Sequence, residues 1–267
     1  INLESGHNFK LMAGFQSELL KSRDLSGDKK NVITPLTPTL NTASGKEVTK
    51  GGYSHWATLG FFGRINYDYQ GKYLLEVNGR YDGTSRFPKN KRFGAFPSFS
   101  LGWRVSEEAF MQSTRSWLNN LKLRLSWGLL GNQETVNSDG SVNYYPYQNT
   151  YSYGYDYSYN DQLQSGISIS SRMANPNITW EKTAQWNFGI DATLFSNKLN
   201  FTLDVFRKDT RDILLQLPVP GILGVDPPMQ NAGKVRNTGF ELQTSYNNHV
   251  GDFVYSITGN FSYVHNK

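Results

Sequence analysis

Between residues 59 and 82 the chain changes character at nearly every position. Leu59, Phe61, Gly63, Ile65, Tyr67 and Tyr69 share one parity, while Gly60, Phe62, Arg64, Asn66 and Asp68 share the other. Past Gln70-Gly71 the pattern resumes, with Tyr73, Leu75, Val77, Gly79 and Tyr81 set against Leu74, Glu76, Asn78, Arg80 and Asp82. Successive side chains of a strand point to opposite faces, so a period of two sustained this long predicts β-strands with one apolar and one polar face. The short connection containing Gly predicts an antiparallel hairpin. Such a hairpin needs an apolar medium on one side and water or polar protein on the other.

The same alternation recurs in about nine segments: 7–16, 59–69, 73–82, 93–106, 121–129, 184–194, 199–205, 240–246 and 253–264. In 93–106, Pro97, Phe99, Leu101, Trp103 and Val105 oppose Ser98, Ser100, Gly102 and Arg104. In 121–129, Leu121, Leu123, Leu125 and Trp127 oppose Lys122, Arg124, Ser126 and Gly128. The connections differ in length. Those at 70–71, 195–198 and 247–252 are tight, and 104–120 is longer, with "SEEAFMQ" supplying a helical turn. The stretches 17–56, 82–92, 131–183 and 206–237 read as loops, three of them very long. Segments of about ten residues with short turns at one end and long loops at the other describe an outer-membrane barrel. Tyr67, Tyr69 and Tyr73 cluster at one strand–turn junction and Trp103 and Trp117 at another, as an interfacial aromatic girdle would.

Composition agrees with that reading. Only 37% of the 267 residues are hydrophobic and mean hydropathy is -0.55. No apolar run reaches the roughly 18 residues that a spanning helix needs. Barrel strands give only alternate positions to lipid and so escape hydropathy. The 16 Tyr, 16 Phe, 6 Trp and 25 Gly suit an all-β chain with many turns. With no cysteine there is neither a disulfide framework nor a thiolate metal site. The charge of +5 is modest and scattered. Its densest cluster, Lys89, Lys91 and Arg92, lies in a short loop without a basic helix or recognition motif, so nucleic acid is not a partner. A soluble sandwich has strands of about 5–6 residues and rarely tolerates loops as long as 131–183. The expected fold is therefore all-β, part of a transmembrane antiparallel β-barrel. About nine strands in an open sheet leave two unpaired edges, which hydrocarbon does not tolerate. The chain also opens on Ile1-Asn2-Leu3 without a basic-then-apolar leader. That start reads as a processed product or a piece of something longer, and the open sheet as a piece of a larger barrel wall.

Several stretches resemble one family, the SusC/RagA branch of the TonB-dependent outer-membrane transporters of Bacteroidetes. They are "GRINYDYQGKYLLEVNGRYDGTSRF", "FPSFSLGWRVSEEAFM", "LKLRLSWGLLGNQ", "NPNITWEKTAQWNFGIDATLF" and "NAGKVRNTGFELQTSYN", in that order along most of the chain. Segments 17–54, 134–174 and 218–228 lie outside the resemblance, as substrate-facing loops would. The resemblance implies that residues 1–267 are a partial receptor barrel domain within a 22-stranded barrel, here without the plug domain. Its long extracellular loops would be at about 17–56, 131–183 and 206–237. It implies uptake of an oligosaccharide or peptide, a SusD-like surface lipoprotein as lid, and energy from TonB, ExbB and ExbD through the missing N-terminal part. It places the chain in the bacterial outer membrane as a multi-pass barrel in contact with lipid. Two other classes stay open at this point: a passive porin or adhesin barrel, and a soluble glycan-binding β-domain.

No catalytic constellation is visible. His7, His55, His249 and His265 are isolated, no Gly-x-Ser-x-Gly elbow occurs, and neither an enzyme nor a cofactor is expected. Glu107 and Glu108 read as a solvated helix start. Two sets of residues are candidates for function. Arg64, Asp68, Glu76, Arg80, Asp82 and Arg104 are expected to face the lumen, touching plug or solute or pairing across strands. Tyr144, Tyr145, Tyr147, Tyr151, Tyr153, Tyr155, Tyr157 and Tyr159 in "NYYPYQNTYSYGYDYSYN" offer flat amphipathic surface for a sugar, a partner or neighbouring loops. If extended, 151–159 puts five rings on one face.

Overall fold

A computed structural model describes residues 3, 5–137, 140–170 and 172–267. Nine long strands pair strictly in chain order into one antiparallel sheet: β1 (His7–Lys29), β2 (Glu47–Tyr69), β3 (Tyr73–Thr84), β4 (Phe93–Arg104), β5 (Leu118–Asn132), β10 (Glu181–Leu194), β11 (Leu199–Gln216), β12 (Met229–Val250) and β13 (Phe253–Asn266). Four three-residue strands, β6 (Tyr151–Tyr153), β7 (Tyr157–Tyr159), β8 (Gln162–Gln164) and β9 (Ile167–Ile169), form two small ladders within the connection 133–180. The turn after β2 closes because Gln70 and Gly71 take φ of 52° and 68°. Lys72 N then donates to Tyr69 O at 2.9 Å.

One register row crosses all nine strands: Phe9, Tyr67, Leu75, Leu101, Leu125, Phe188, Val205, Phe240 and Tyr263. Every member is apolar or aromatic, and Leu101, Phe188 and Val205 are 44%, 44% and 48% exposed. The next row, one residue along each strand, reads Asn8, Asp68, Leu74, Gly102, Arg124, Gly189, Asp204, Glu241 and Ser262. A face of exposed Leu, Phe and Val backed by a polar face is inside-out for a water-soluble sheet and correct for a barrel wall in lipid.

The aromatic girdle is a single ladder, with His7 stacked on Tyr69, Tyr69 on Tyr73, and Tyr73 on Trp103 at 4.5, 6.3 and 6.5 Å. Glu108 fastens it from the 105–117 connection. Its Oε1 accepts from Tyr73 Oη at 2.7 Å and Trp103 Nε1 at 3.1 Å, and Lys72 Nζ lies 3.4 Å from Oε2. Glu108 is thus a girdle anchor rather than a solvated helix start, although 3-10 turns do flank it at Val105–Glu107 and Ala109–Thr114.

Two of the expected loops are largely strand. β1 and β2 stay in register from His7↔Tyr69 to Lys29↔Glu47, which leaves 30–46 as the connection instead of 17–56. β11 and β12 likewise continue to Gln216↔Met229, leaving 217–228 instead of 206–237. The 23 residues of β1 extend for roughly 75 Å at about 3.3 Å each, far beyond an apolar band about 25 Å tall. Beyond that band both faces are wet, so the backbone ladder continues after the hydropathic alternation has ended. The expected loop 131–183 corresponds to 133–180 and the shorter 82–92 to 85–92.

Candidate lumen wall and mouth

The predicted inner charges are mostly engaged with one another. Arg64 Nε donates to Asn78 Oδ1 at 2.6 Å and lies 3.7 Å from Glu76 Oε1. Glu76 also accepts from Asn66 at 2.5 Å and Asn78 at 2.9 Å. Arg80 grips Asp82 with two bonds of 3.0 and 2.9 Å and lies 5.3 Å over the Phe62 ring. Asp68 Oδ1 accepts from Asn8 Nδ2 at 3.1 Å and from the turn amide of Gly71 at 3.2 Å. Arg104 stands apart from the other five and makes no ion pair among the described residues.

A stronger cluster on the same face was not among the candidates. Arg124 Nε and Nη2 fork onto Asp191 at 2.7 and 3.0 Å, and Nη1 lies 3.0 Å from Asp204. Asn187 Nδ2 adds a bond of 2.9 Å to Asp204. Register explains how it forms. Arg124 sits between Gly102 and Gly189, and a Cβ on Gly189 would lie 2.5 Å from its guanidinium carbon. Glycine there lets the guanidinium lie across β10 and reach Asp204 on β11. Sequence separations of 67 and 80 residues hide the cluster from motif reading.

Above the inner wall, the chain's main apolar core joins the long connections. Phe87, Phe96, Ile178, Trp180 and Met229 are buried together, and Trp180 meets Phe87 and Phe96 edge-on at 5.5 and 5.2 Å. "NPNITW" builds half of this core. Asn175 Nδ2 donates to Met229 O at 2.7 Å, Asn231 Nδ2 to Thr179 O at 2.8 Å, and Trp180 Nε1 to Arg92 O at 3.1 Å. The other anchor is Arg86, only 7% exposed. Its guanidinium lies 5.2 Å over Trp56 and 5.3 Å over Tyr144. Burial there lowers the Arg86 pKa, an effect that the charge of Glu134 partly offsets.

The tyrosine stretch divides in two. Tyr144 packs on Arg86, Tyr145 Oη donates to His55 O at 2.9 Å, and Tyr147 lies against the core. Those three root the connection 133–180 on the wall. Tyr151, Tyr153, Tyr155, Tyr157 and Tyr159 are 57–79% exposed. They do not form one continuous strip, because Gly154 at φ 91° breaks the strand between β6 and β7. Pairing of Tyr151 with Ile169 and Tyr153 with Ile167 instead sets two tyrosines and two isoleucines on one face of the first ladder. Among the described residues no group of His, Asp or Glu is arranged to hold a metal ion.

An antiparallel meander with lipid-type residues outside, a paired polar lining inside and a rooted aromatic loop defines a class: the wall of an outer-membrane β-barrel. The family model for the TonB-dependent receptor-like β-barrel matches residues 2–267. The chain belongs to that family. It is 35% identical over 212 residues to TonB-dependent receptor P39 of Formosa agariphila, covering 79% of this chain and 19% of that protein. It is 33% identical over 211 residues to TonB-dependent receptor SusC of Bacteroides thetaiotaomicron, covering 78% of this chain and 20% of that protein. The solved RagAB peptide transporter superposes on all of this chain and 29% of its own, with a TM-score of 0.89 and 25% identity. The SusC/RagA resemblance in the sequence is thereby borne out. The chain spans about a fifth of the length of the curated relatives it matches.

Proposed function

We propose that this chain is a wall segment of a TonB-dependent outer-membrane importer that takes up an oligosaccharide or a peptide with a SusD-like lipoprotein as its lid. In this reading the polar row through Asp68, Arg124 and Asp204 lines the passage, facing plug and solute. The loops 30–46, 133–180 and 217–228 face the cell exterior, where solute arrives. The observation that carries the reading is the exposed aromatic loop. Five tyrosines and Ile167 and Ile169 stand clear of the wall, while Tyr144, Tyr145 and Tyr147 hold the loop's base. Apolar surface of that extent is seldom left bare, and Tyr supplies contact area and a hydroxyl while fixing few torsions. The likeness to a peptide transporter and to SusC supports the same reading. Coupling to TonB, ExbB and ExbD would enter through a plug domain carried elsewhere in the full-length protein.

The test is the triple substitution Tyr153→Ser, Tyr155→Ser, Tyr157→Ser in the full-length protein. Outer-membrane abundance should be unchanged, while solute uptake or co-purification of the lipoprotein falls. Normal values for all three measurements would contradict the reading.

A further inference from the structure

We propose that the outward face of β10–β12, just above the apolar rows, is a binding site for the phosphorylated headgroup of an outer-leaflet glycolipid. The proposal rests on the reading that the long loops face the cell exterior. On this parity the apolar row Phe188, Val205, Phe240 gives way to Trp186, Arg207, Thr238, and then to Ala184, Asp209, Arg236. Lys182, Arg211 and Lys234 follow, side by side in register. Lys182 is 12 positions along β10 from Leu194 at its turn. That is roughly 40 Å of strand, or roughly 30 Å of height at the usual barrel tilt of about 40°. The cations therefore lie at the level where hydrocarbon ends and headgroups begin.

Like charges directly opposite each other on paired strands are destabilising, yet Lys182↔Arg211↔Lys234 places three cations in one row. Asp209, the acid on this parity, is already engaged, with Arg207 at 2.9 Å and Arg236 at 2.5 Å. Asp212, at the bulge after Arg211, makes no ion pair with the three, and among the described residues none of them has an anionic partner. The inner face of the same sheet is built the opposite way, with Arg80 and Arg124 each held by carboxylates. An unneutralised row about 5 Å from strand to strand matches a phosphate, whose oxygens accept from a guanidinium fork and flanking ammonium groups together. Acyl chains of the same lipid would lie on Phe188, Val205 and Phe240. Lys21 and Arg23 continue the basic outward parity on β1, whereas Glu18 and Asp24 fall on the inner one.

The experiment compares the full-length protein with Lys182→Gln, Arg211→Gln, Lys234→Gln. A control of equal charge change sits on the inner parity: Lys10→Gln, Lys122→Gln, Lys208→Gln. Each is extracted in mild detergent and its bound glycolipid measured by native mass spectrometry. At about fivefold per cation, the outward triple should lose retained phosphorylated glycolipid by more than tenfold and the control should not. Independently, adding bisphosphorylated lipid to delipidated wild-type protein should raise its unfolding midpoint, and the dephosphorylated form should not. Unchanged retention, equal loss in the control, or equal stabilisation by the dephosphorylated lipid would overturn the site. Full displacement of the lipid by millimolar pyrophosphate would overturn it in favour of a free-phosphate site. Labelling of Ser158→Cys by an impermeant thiol reagent on intact cells checks the orientation separately. Labelling only after lysis would sink the topology, whatever the lipid result.

Discussion

Arg124 is the best-connected charge on the inner face, and its geometry fixes what a single methyl group should do. A Cβ on Gly189 would lie 2.5 Å from Arg124 Cζ and 2.6 and 2.7 Å from its terminal nitrogens. The guanidinium cannot keep its place, so Gly189→Ala is expected to shift it away from Asp204, from Asp191, or from both. Side chains of Arg124, Asp191 and Asp204 are 30%, 29% and 22% exposed. An exposed pair contributes about 0.2–1 kcal/mol, and breaking a buried pair costs about 3–5 kcal/mol. At this partial exposure, after allowing for solvent screening, we expect about 1–3 kcal/mol for Arg124→Gln. Gly189→Ala should cost a similar amount, since it acts on the same bonds. The two effects should not add: in the Arg124→Gln background, Gly189→Ala should cost under about 0.5 kcal/mol. Equilibrium unfolding of the full-length protein from lipid vesicles measures all four corners of the cycle. Full additivity would refute the claim that Gly189 serves the guanidinium.

Three further outcomes follow from the same geometry. Leu101→Arg, on the outward row, should cost about 2–4 kcal/mol of barrel stability, while Ser100→Arg on the inner row should cost less; vesicle unfolding compares them. Arg86→Leu removes two ring contacts worth roughly 0.5–2 kcal/mol each. It should free 133–180 for limited proteolysis without loss of the barrel, and Arg86→Lys should restore protection only in part. Glu108 is held below the usual carboxylate range, first by the Tyr73 hydroxyl, then by Trp103, with Lys72 assisting. Its contribution is therefore present above the unfolded carboxylate pKa and lost as pH falls through the lower folded value. Amide exchange across 105–117 should rise below about pH 4, and Glu108→Gln should remove that dependence.

The outward row from Phe9 to Tyr263 was legible because lipid imposes a hydropathic period on every strand that it touches. The extensions 17–29 and 47–56 were not, because the backbone ladder continues there without a hydropathic period to mark it. The cluster of Arg124, Asp191 and Asp204 escaped for another reason. Each residue reads as an ordinary polar position, and only the register of β5, β10 and β11 brings them together. Gly102 and Gly189, glycines on the polar parity of their strands, were the available signal, and only the register sets both beside Arg124. Glu108 looked solvated because its partners Tyr73 and Trp103 lie on other elements. In the tyrosine stretch, composition pointed to a surface loop but gave no sign that Arg86 would claim Tyr144 and leave Tyr151 to Tyr159 outside.

Both proposals require that one parity of these strands meets lipid and the other meets an aqueous passage. A nitroxide scan of residues 121–128 on β5, one label at a time in the full-length protein in vesicles, measures this directly. Collision with oxygen should peak at Leu121, Leu123, Leu125 and Trp127, and collision with a water-soluble nickel chelate at Lys122, Ser126 and Gly128. Equal chelate access on both parities, or oxygen peaks at the even positions, would contradict the account.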